Sequence, residues 1–406
     1  MKSFFRKKII FSAAAGLSIL TISVMTLVYG NESIAKEYSE LSISDEYDGE
    51  IIAAADMVRR KMNYTEQAVR DNITGKKIFT EVYGLAQMIM MKDEIRGFVN
   101  IKDKDGFLYS GAFYIEEDDS LELYAKKVRK FADAAGADGA KTMFISFPEK
   151  SYIENDFEKG MPVREYDYIQ DEFLTYLMGN RVDSLDLRNS LKRRGSEKDE
   201  LYYRTDKAMT TYGSFEVFCS IVSELDKRYG MSMDPENIYT DRSNYTVEEY
   251  PGAFIGNMAR EAGSIFSGRD DFEIYIHAFP QEFRWEYVNQ KKQTFNKVGD
   301  SEILMKREYL NNDDIYARDP IRTYLGGLND WDKITNLKKP DAPKILCIRD
   351  DNFSAVATFL APLCSELHLV NPSADGTDIT EYIRDNEFDL VLYAVSASRI
   401  NERYFQ

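Results

Sequence analysis

Histidine is almost missing from this chain: 406 residues contain two, His277 and His368. Any mechanism that needs an imidazole base must therefore use one of them. Cysteine is nearly as scarce, at three. An odd count with no CxxC pair excludes a disulfide scaffold and makes a zinc site a poor reading. Cys347 falls in an apolar strand, Cys219 and Cys364 in helical segments, and all three read as buried, inert thiols. With 23 Gly and 10 Pro the chain is neither collagen-like nor low in complexity. Positive charge is in deficit, 52 Lys and Arg against 69 Asp and Glu. Residues 1–29 hold four bases and no acid, so residues 30–406 carry a net −21. Nucleic acid is thereby excluded as a partner, because phosphate binding needs a basic footprint. What remains is a foldable composition, 44% hydrophobic and including 24 Phe and 27 Tyr, enough for a substantial core.

The basic side chains at the start are Lys2, Arg6, Lys7 and Lys8, and they precede an uncharged run from Ile9 to Tyr29. Those 21 residues would span roughly 31 Å as a helix, enough to cross a bilayer's hydrocarbon core. The basic flank stays cytoplasmic, which puts the rest of the chain outside the cell membrane. A cleaved signal peptide is the rival, with Ser33-Ile34-Ala35 as a small-residue cleavage site. Either way the body of the protein is exported. The expected division is 1–30 for the basic tip and anchor, 31–95 for a polar stalk and helix, and 96–406 for a folded domain.

Within that domain, two apolar runs flank Asp105-Gly106 between Phe98 and Ser110, a hairpin pattern. From Ser120 the apolar residues Leu121, Tyr124, Val128 and Phe131 recur on one face of a helix that Gly136 ends. Thr142–Phe147 reads as a buried strand, and Thr210–Tyr229 as a helix stopped by Gly230. Lys344–Arg349, Glu366–Val370 and Leu390–Val395 read as strands, with helices at Asn352–Leu363 and Asp378–Asp385 between them. Strand–helix alternation of this kind predicts an α/β fold, a parallel sheet with helices on both faces. The acidic run Glu116-Glu117-Asp118-Asp119 lacks the Gly-centred, spaced ligands of a calcium loop and suits the helix N-terminus that follows. Gly136-Ala137-Asp138-Gly139 has no Lys-Ser/Thr after it, so it is no phosphate loop. No cofactor and no metal is expected.

In such sheets working residues sit just beyond the C-terminal ends of strands. The strand Lys344–Arg349 empties into Asp350-Asp351-Asn352, then Phe359-Leu360-Ala361-Pro362. This passage resembles the nucleophile block of the bacterial DHHW/AlgJ–AlgX proteins, which are SGNH-hydrolase-like and linked to O-acetylation of exported polysaccharides. Leu201-Tyr202-Tyr203-Arg204-Thr205-Asp206, followed by Thr210, Thr211 and Gly213, resembles the family's Tyr-Tyr-Arg-Thr-Asp-His-His-Trp-Thr-Thr-x-Gly block. Tyr324-Leu325-Gly326-Gly327 leading to Ile334-Thr335-Asn336 is a third, looser likeness. Together with the hairpin these blocks span about residues 98–395. The resemblance implies a three-layer, flavodoxin-like arrangement of sheet and helices.

The same resemblance implies a catalytic triad, and the chain departs from it at two positions. Where the family ends its strand Lys-Asp-Ser with a nucleophilic Ser, this chain has Asp351; where it has the catalytic His, this chain has Ala208. Only Asp206 is retained. A serine-type attack needs a neighbouring base with a pKa near ~7, and alanine offers no proton acceptor. Lys207 is adjacent but ordinarily protonated, and Ser354, one helical turn on, reads as a first-turn helix residue rather than a substitute nucleophile. His277 and His368 sit in apolar strands and read as structural. The expected function is a non-catalytic, membrane-anchored relative that binds or organises exported polysaccharide or a membrane acyltransferase. The alternative is an active O-acetyltransferase or esterase with altered residues. The vacated site is expected to gather Asp206, Asp350 and Asp351 around a shared cation. Lys207 reaching Asp351 is favoured for that role, with Arg349 or a metal ion as the other candidates.

Overall fold

The computed structural model describes residues 2–43, 54–113, 119–153, 160–194, 201–374 and 378–405. Three residues of the acidic run, Glu116 to Asp118, lie outside them. The chain divides into two compact units, Met1–Ala86 and Gln87–Gln406.

In the first unit the uncharged run lies within one helix, Lys2–Tyr29. Side chains are described from Leu17 onward. Among the described residues no single helix is long and apolar enough to cross a membrane, but Gly16–Tyr29 with Asn31–Ser39 meets the length and composition as a pair bent by 67°. The segment expected to be a polar stalk is helical, Asn31–Ile43 and Ala54–Asp71. Asn72 Nδ2 donates to Glu37 Oε2 at 2.6 Å, and the Thr74 amide to Thr26 Oγ1 at 3.0 Å, tying these segments together. A further helix, Lys76–Ile89, runs across the division.

The second unit opens with a small antiparallel sheet of β1 (Glu94–Ile95), β2 (Asn100–Lys102) and β3 (Leu108–Ser110). Its β2–β3 turn is the expected Asp105-Gly106 hairpin, closed by the Asp103 carboxylate, which accepts from the Phe107 amide at 2.8 Å and the Tyr109 hydroxyl at 3.1 Å. The main sheet has eight strands. They are β4 (Lys141–Phe147), β5 (Asp183–Asp186), β8 (Phe283–Val288), β9 (Thr294–Gly299), β10 (Trp331–Asn336), β11 (Lys344–Arg349), β12 (Glu366–Val370) and β13 (Leu390–Ser396). Their spatial order is β5-β4-β13-β11-β12-β10-β8-β9. A separate antiparallel pair joins β6 (Tyr245–Phe254) to β7 (Asp270–His277).

The expectation of a wholly parallel sheet needs correction. From β5 to β12 the pairings are parallel, but β10 pairs antiparallel with β12, and β8 and β9 extend the sheet antiparallel. Of the parallel strands, β4, β11 and β13 carry the continuous apolar runs, because helices cover them on both faces, whereas the edge strand β5 is polar. Ile345 and Cys347 point to a core shared with Phe215, Phe218 and Phe359; Leu346 and Ile348 point to the opposite core, with Val128, Phe131 and Phe173. All three cysteines are buried and outside any disulfide, as the sequence suggested, although Cys364 sits just past a short turn of 3-10 helix, Ala361–Leu363, rather than inside a helix. Burial pushes the Cys347 and Cys364 thiols well above their ordinary range, which keeps them unreactive.

Candidate functional site

The loop that carries Asp206 is built almost entirely by backbone capture. Tyr203 N donates to Ala208 O at 3.1 Å and Thr210 N to Leu201 O at 3.0 Å, closing residues 201–210 on themselves. Lys150, only 3% exposed, donates from Nζ to the carbonyls of Tyr203 (3.0 Å), Arg204 (3.2 Å) and Asp206 (2.6 Å). From the other side the Asp270 carboxylate accepts the Thr205 amide at 2.9 Å and its hydroxyl at 2.5 Å. Thr210 then caps the helix Thr211–Tyr229 by accepting from Gly213 N at 2.9 Å, and Gly230 ends it with φ of 66°. Gly213 is required there by contact, since a Cβ would stand 2.4 Å from Leu201 O. Asp206 has both oxygens occupied: Oδ1 accepts from Ala208 N at 3.1 Å, Oδ2 from Asn257 N at 2.6 Å.

The other half of the site follows β11. Asp350 is fully buried; its carboxylate accepts from Asn352 N (3.0 Å), Ser396 N (2.8 Å) and Ser396 Oγ (2.7 Å). Burial, and then the charge of Asp351, pushes its pKa up to about 6. Arg349, a candidate partner for these acids, is turned to the far side. Its Nη2 meets Asp332 Oδ2 on β10 at 3.0 Å and Gly327 O at 3.3 Å, and its Nη1 meets Ser354 Oγ at 2.8 Å. The third sequence block supplies that carbonyl: Leu325, Gly326 and Gly327 all have positive φ, 56°, 76° and 91°. Three such residues in a row turn the chain so that Gly327 O faces the pair, and two glycines make the path accessible. Ser354 also donates to Gly327 O at 3.2 Å, so its hydroxyl is engaged and buried rather than available as a nucleophile.

Ala208, Asp351 and Ser354 do face one cavity, together with Tyr203, Met209 and Tyr324. Its volume is about 20 Å3, room for roughly one water molecule and not for an acyl group. The expected Lys207–Asp351 pair is absent. Lys207 is exposed and lines a different cavity, of about 150 Å3, with Glu149, Arg164 and Ser398. Asp351 pairs instead with Arg399, Nη2 to Oδ1 at 3.5 Å. Of the candidate cations, neither Lys207 nor Arg349 neutralises the site, and no group of three or more His, Cys, Asp or Glu among the described residues is placed to hold a metal.

Two residues escaped the sequence reading. Arg399 lies in the turn after β13, at a strand's C-terminal end, the position where site residues are expected. Asp319 had no such signal. Burial raises its pKa, Arg260 and Arg322 oppose the rise, and the charges of Asp206 and Asp351 add to it, so this carboxyl lies within electrostatic reach of both. The histidines are elsewhere. His277 stacks on Tyr239 at 4.6 Å, and its Nδ1 accepts from Phe279 N at 3.1 Å. His368 is buried between Tyr382 Oη (2.6 Å) and Glu366 Oε2 (3.0 Å), its pKa lowered to about 4 chiefly by burial.

Comparison with known proteins bears on the family. Residues 101–263 match the family described as "SGNH hydrolase-like domain, acetyltransferase AlgX". Over that stretch the chain is similar to the AlgX domain. The match to the AlgX-like family takes in β3 and the 201–213 block and ends before β11. Solved structures agree in fold over a longer stretch. PatB1 of Bacillus cereus, solved with a sulfonyl adduct, is 15% identical with a TM-score of 0.62, over 76% of this chain and 98% of that one. A DHHW family protein from Eubacterium siraeum is also 15% identical, with a TM-score of 0.56 over 75% and 95% of the two chains. No curated protein matches the chain by sequence.

Proposed function

We propose that this chain is a membrane-anchored, extracytoplasmic and non-catalytic relative of the AlgX-like acetyltransferases, which binds or organises exported polysaccharide during its O-acetylation. The observation that carries the reading is the occupancy of the Ala208–Asp351 cavity. It holds no imidazole, since both histidines of the chain are hydrogen-bonded or stacked elsewhere. A hydroxyl nucleophile would need a base to accept its proton; the Ser354 hydroxyl is bonded to Arg349 and Gly327, and that of Thr211 to the Glu273 carbonyl. Asp351 faces a cation instead of standing free to attack. Loss of two members of a concerted unit removes nearly all of its effect. Anchoring is supported by the uncharged run Ile9–Tyr29 with its basic flank, and the polysaccharide partner by the AlgX likeness.

The test is hydrolysis of 4-nitrophenyl acetate by the full chain in detergent. The expected rate equals that of the Asp351→Asn variant. A faster rate that this substitution abolishes would establish the alternative, an O-acetyltransferase or esterase attacking through Asp351.

A further inference from the structure

A third cavity, of about 430 Å3, shares Tyr203 and Thr211 with the small one and lies within the size range of small-molecule sites, about 300–1,000 Å3. Three segments build it: the 202–212 stretch, the turn at Arg242, and the start of β7 with Asp270, Asp271 and Glu273. Much of that lining is already committed. Asp270 holds the Arg204–Thr205 backbone, and Asp271 Oδ1 accepts from Gly252 N at 2.6 Å. Two charged groups are not committed in this way. The Arg242 guanidinium lies 5.0 Å over the ring of Tyr212 and 5.2 Å over that of Tyr275, and it forms no ion pair among the described residues. Glu273 likewise has no ion-pair partner among them; its backbone carbonyl accepts from Thr211 Oγ1 at 2.6 Å and Tyr324 Oη at 3.3 Å.

We infer that this cavity is a saccharide-binding subsite that accepts a neutral, hydroxyl-rich sugar. The inference rests on the glycan-binding reading above and locates it away from the vacated catalytic positions. A planar guanidinium and a carboxylate facing one space offer donors and acceptors to neighbouring sugar hydroxyls. The Tyr212 ring beside them offers an apolar face to the C–H side of a pyranose. A polyuronate fits less well. The cavity lining has two cations, Arg204 and Arg242, against three carboxylates, Asp270, Asp271 and Glu273. Residues 30–406 carry a net −21, which repels a polyanion at long range.

The test is affinity electrophoresis of the full chain in detergent, in gels containing a β-glucan, a galactan, a poly-N-acetylhexosamine or polygalacturonate. Retardation is expected in at least one neutral polymer and not in polygalacturonate. Arg242→Ala and Glu273→Gln should each weaken that retardation about tenfold or more, without moving the melting temperature. Lys227→Ala, an exposed cation elsewhere, should leave it unchanged. Retardation that survives both cavity variants would overturn the cavity assignment and leave glycan binding standing. Retardation by polygalacturonate alone would overturn the neutral class. No retardation in any gel would overturn the inference together with the reading beneath it.

Discussion

Arg349 and Asp332 form an ion pair at 3.0 Å between β11 and β10, and neither side chain has any exposed surface. The pair joins the parallel half of the sheet across β12 to the antiparallel half, and Trp285 Nε1 and Asn329 Nδ2 fill the other acceptor sites of Asp332 at 3.0 and 2.7 Å. Burial raises the Asp332 pKa while Arg349 pulls it down, as for a carboxylate held in place by its counter-ion. Removing one partner strands a buried charge, at a cost of about 3–5 kcal/mol. Arg349→Met is therefore expected to lower stability by that amount in urea denaturation. The double variant Arg349→Met with Asp332→Leu should recover a large part of the loss. A double variant no better than the single one would contradict this account.

Lys150 organises the 203–206 loop through three carbonyls. Lys150→Met keeps the stem but leaves these acceptors without their charged donor, at about 1.5–3 kcal/mol for a charged hydrogen-bond group. Hydrogen exchange followed by mass spectrometry should show faster exchange across residues 201–210. Unchanged exchange there would mean that Asp270 alone holds the loop.

Asp350 makes stability depend on pH. Its pKa is raised from 3.8 to about 6, so folding opposes its ionisation. Its contribution to stability is complete below about 4, where both states are protonated, and is lost as pH rises through about 6. The loss is on the order of 2–3 kcal/mol. Relative to Asp350→Asn, the wild-type chain should lose stability between pH 4 and pH 7, measured by denaturant midpoints at each pH. A difference that stays flat, or runs the other way, would show that the Ser396 hydrogen bonds keep the carboxylate ionised when folded.

Anchoring has its own test. The full-length chain should remain with membranes after a high-salt wash and keep its N-terminal residues, while protease added outside degrades the body of the protein. Mass spectrometry that found a mature N-terminus at Lys36 would show a cleaved signal peptide instead.

The parallel half of the sheet was legible because strands covered on both faces must be apolar throughout, as in the runs of β4, β11 and β13. The antiparallel half was not. In β8 the buried Phe283, Trp285 and Tyr287 alternate with Arg284, Glu286 and Val288, and the five residues from Asn289 to Gln293 form no short Asn-Gly or Asp-Gly hairpin signal. β10 alternates in the same way, with Asp332 among its buried positions, and a charge inside a strand argues against burial until its partner is known.

The residue types at the site were settled by the sequence alone: an alanine at 208, an aspartate at 351, and two histidines in the whole chain. No folding can give Ala208 a proton-accepting atom. Which cation meets which carboxylate was a different matter. Lys207 is next to Asp206 in the chain yet faces another cavity, while Arg399 reaches Asp351 from 48 positions away. Asp319 joined the acidic group unannounced. Ion pairing depends on distance and burial, and residues far apart in sequence acquire both only when β11 and β13 lie side by side in the sheet.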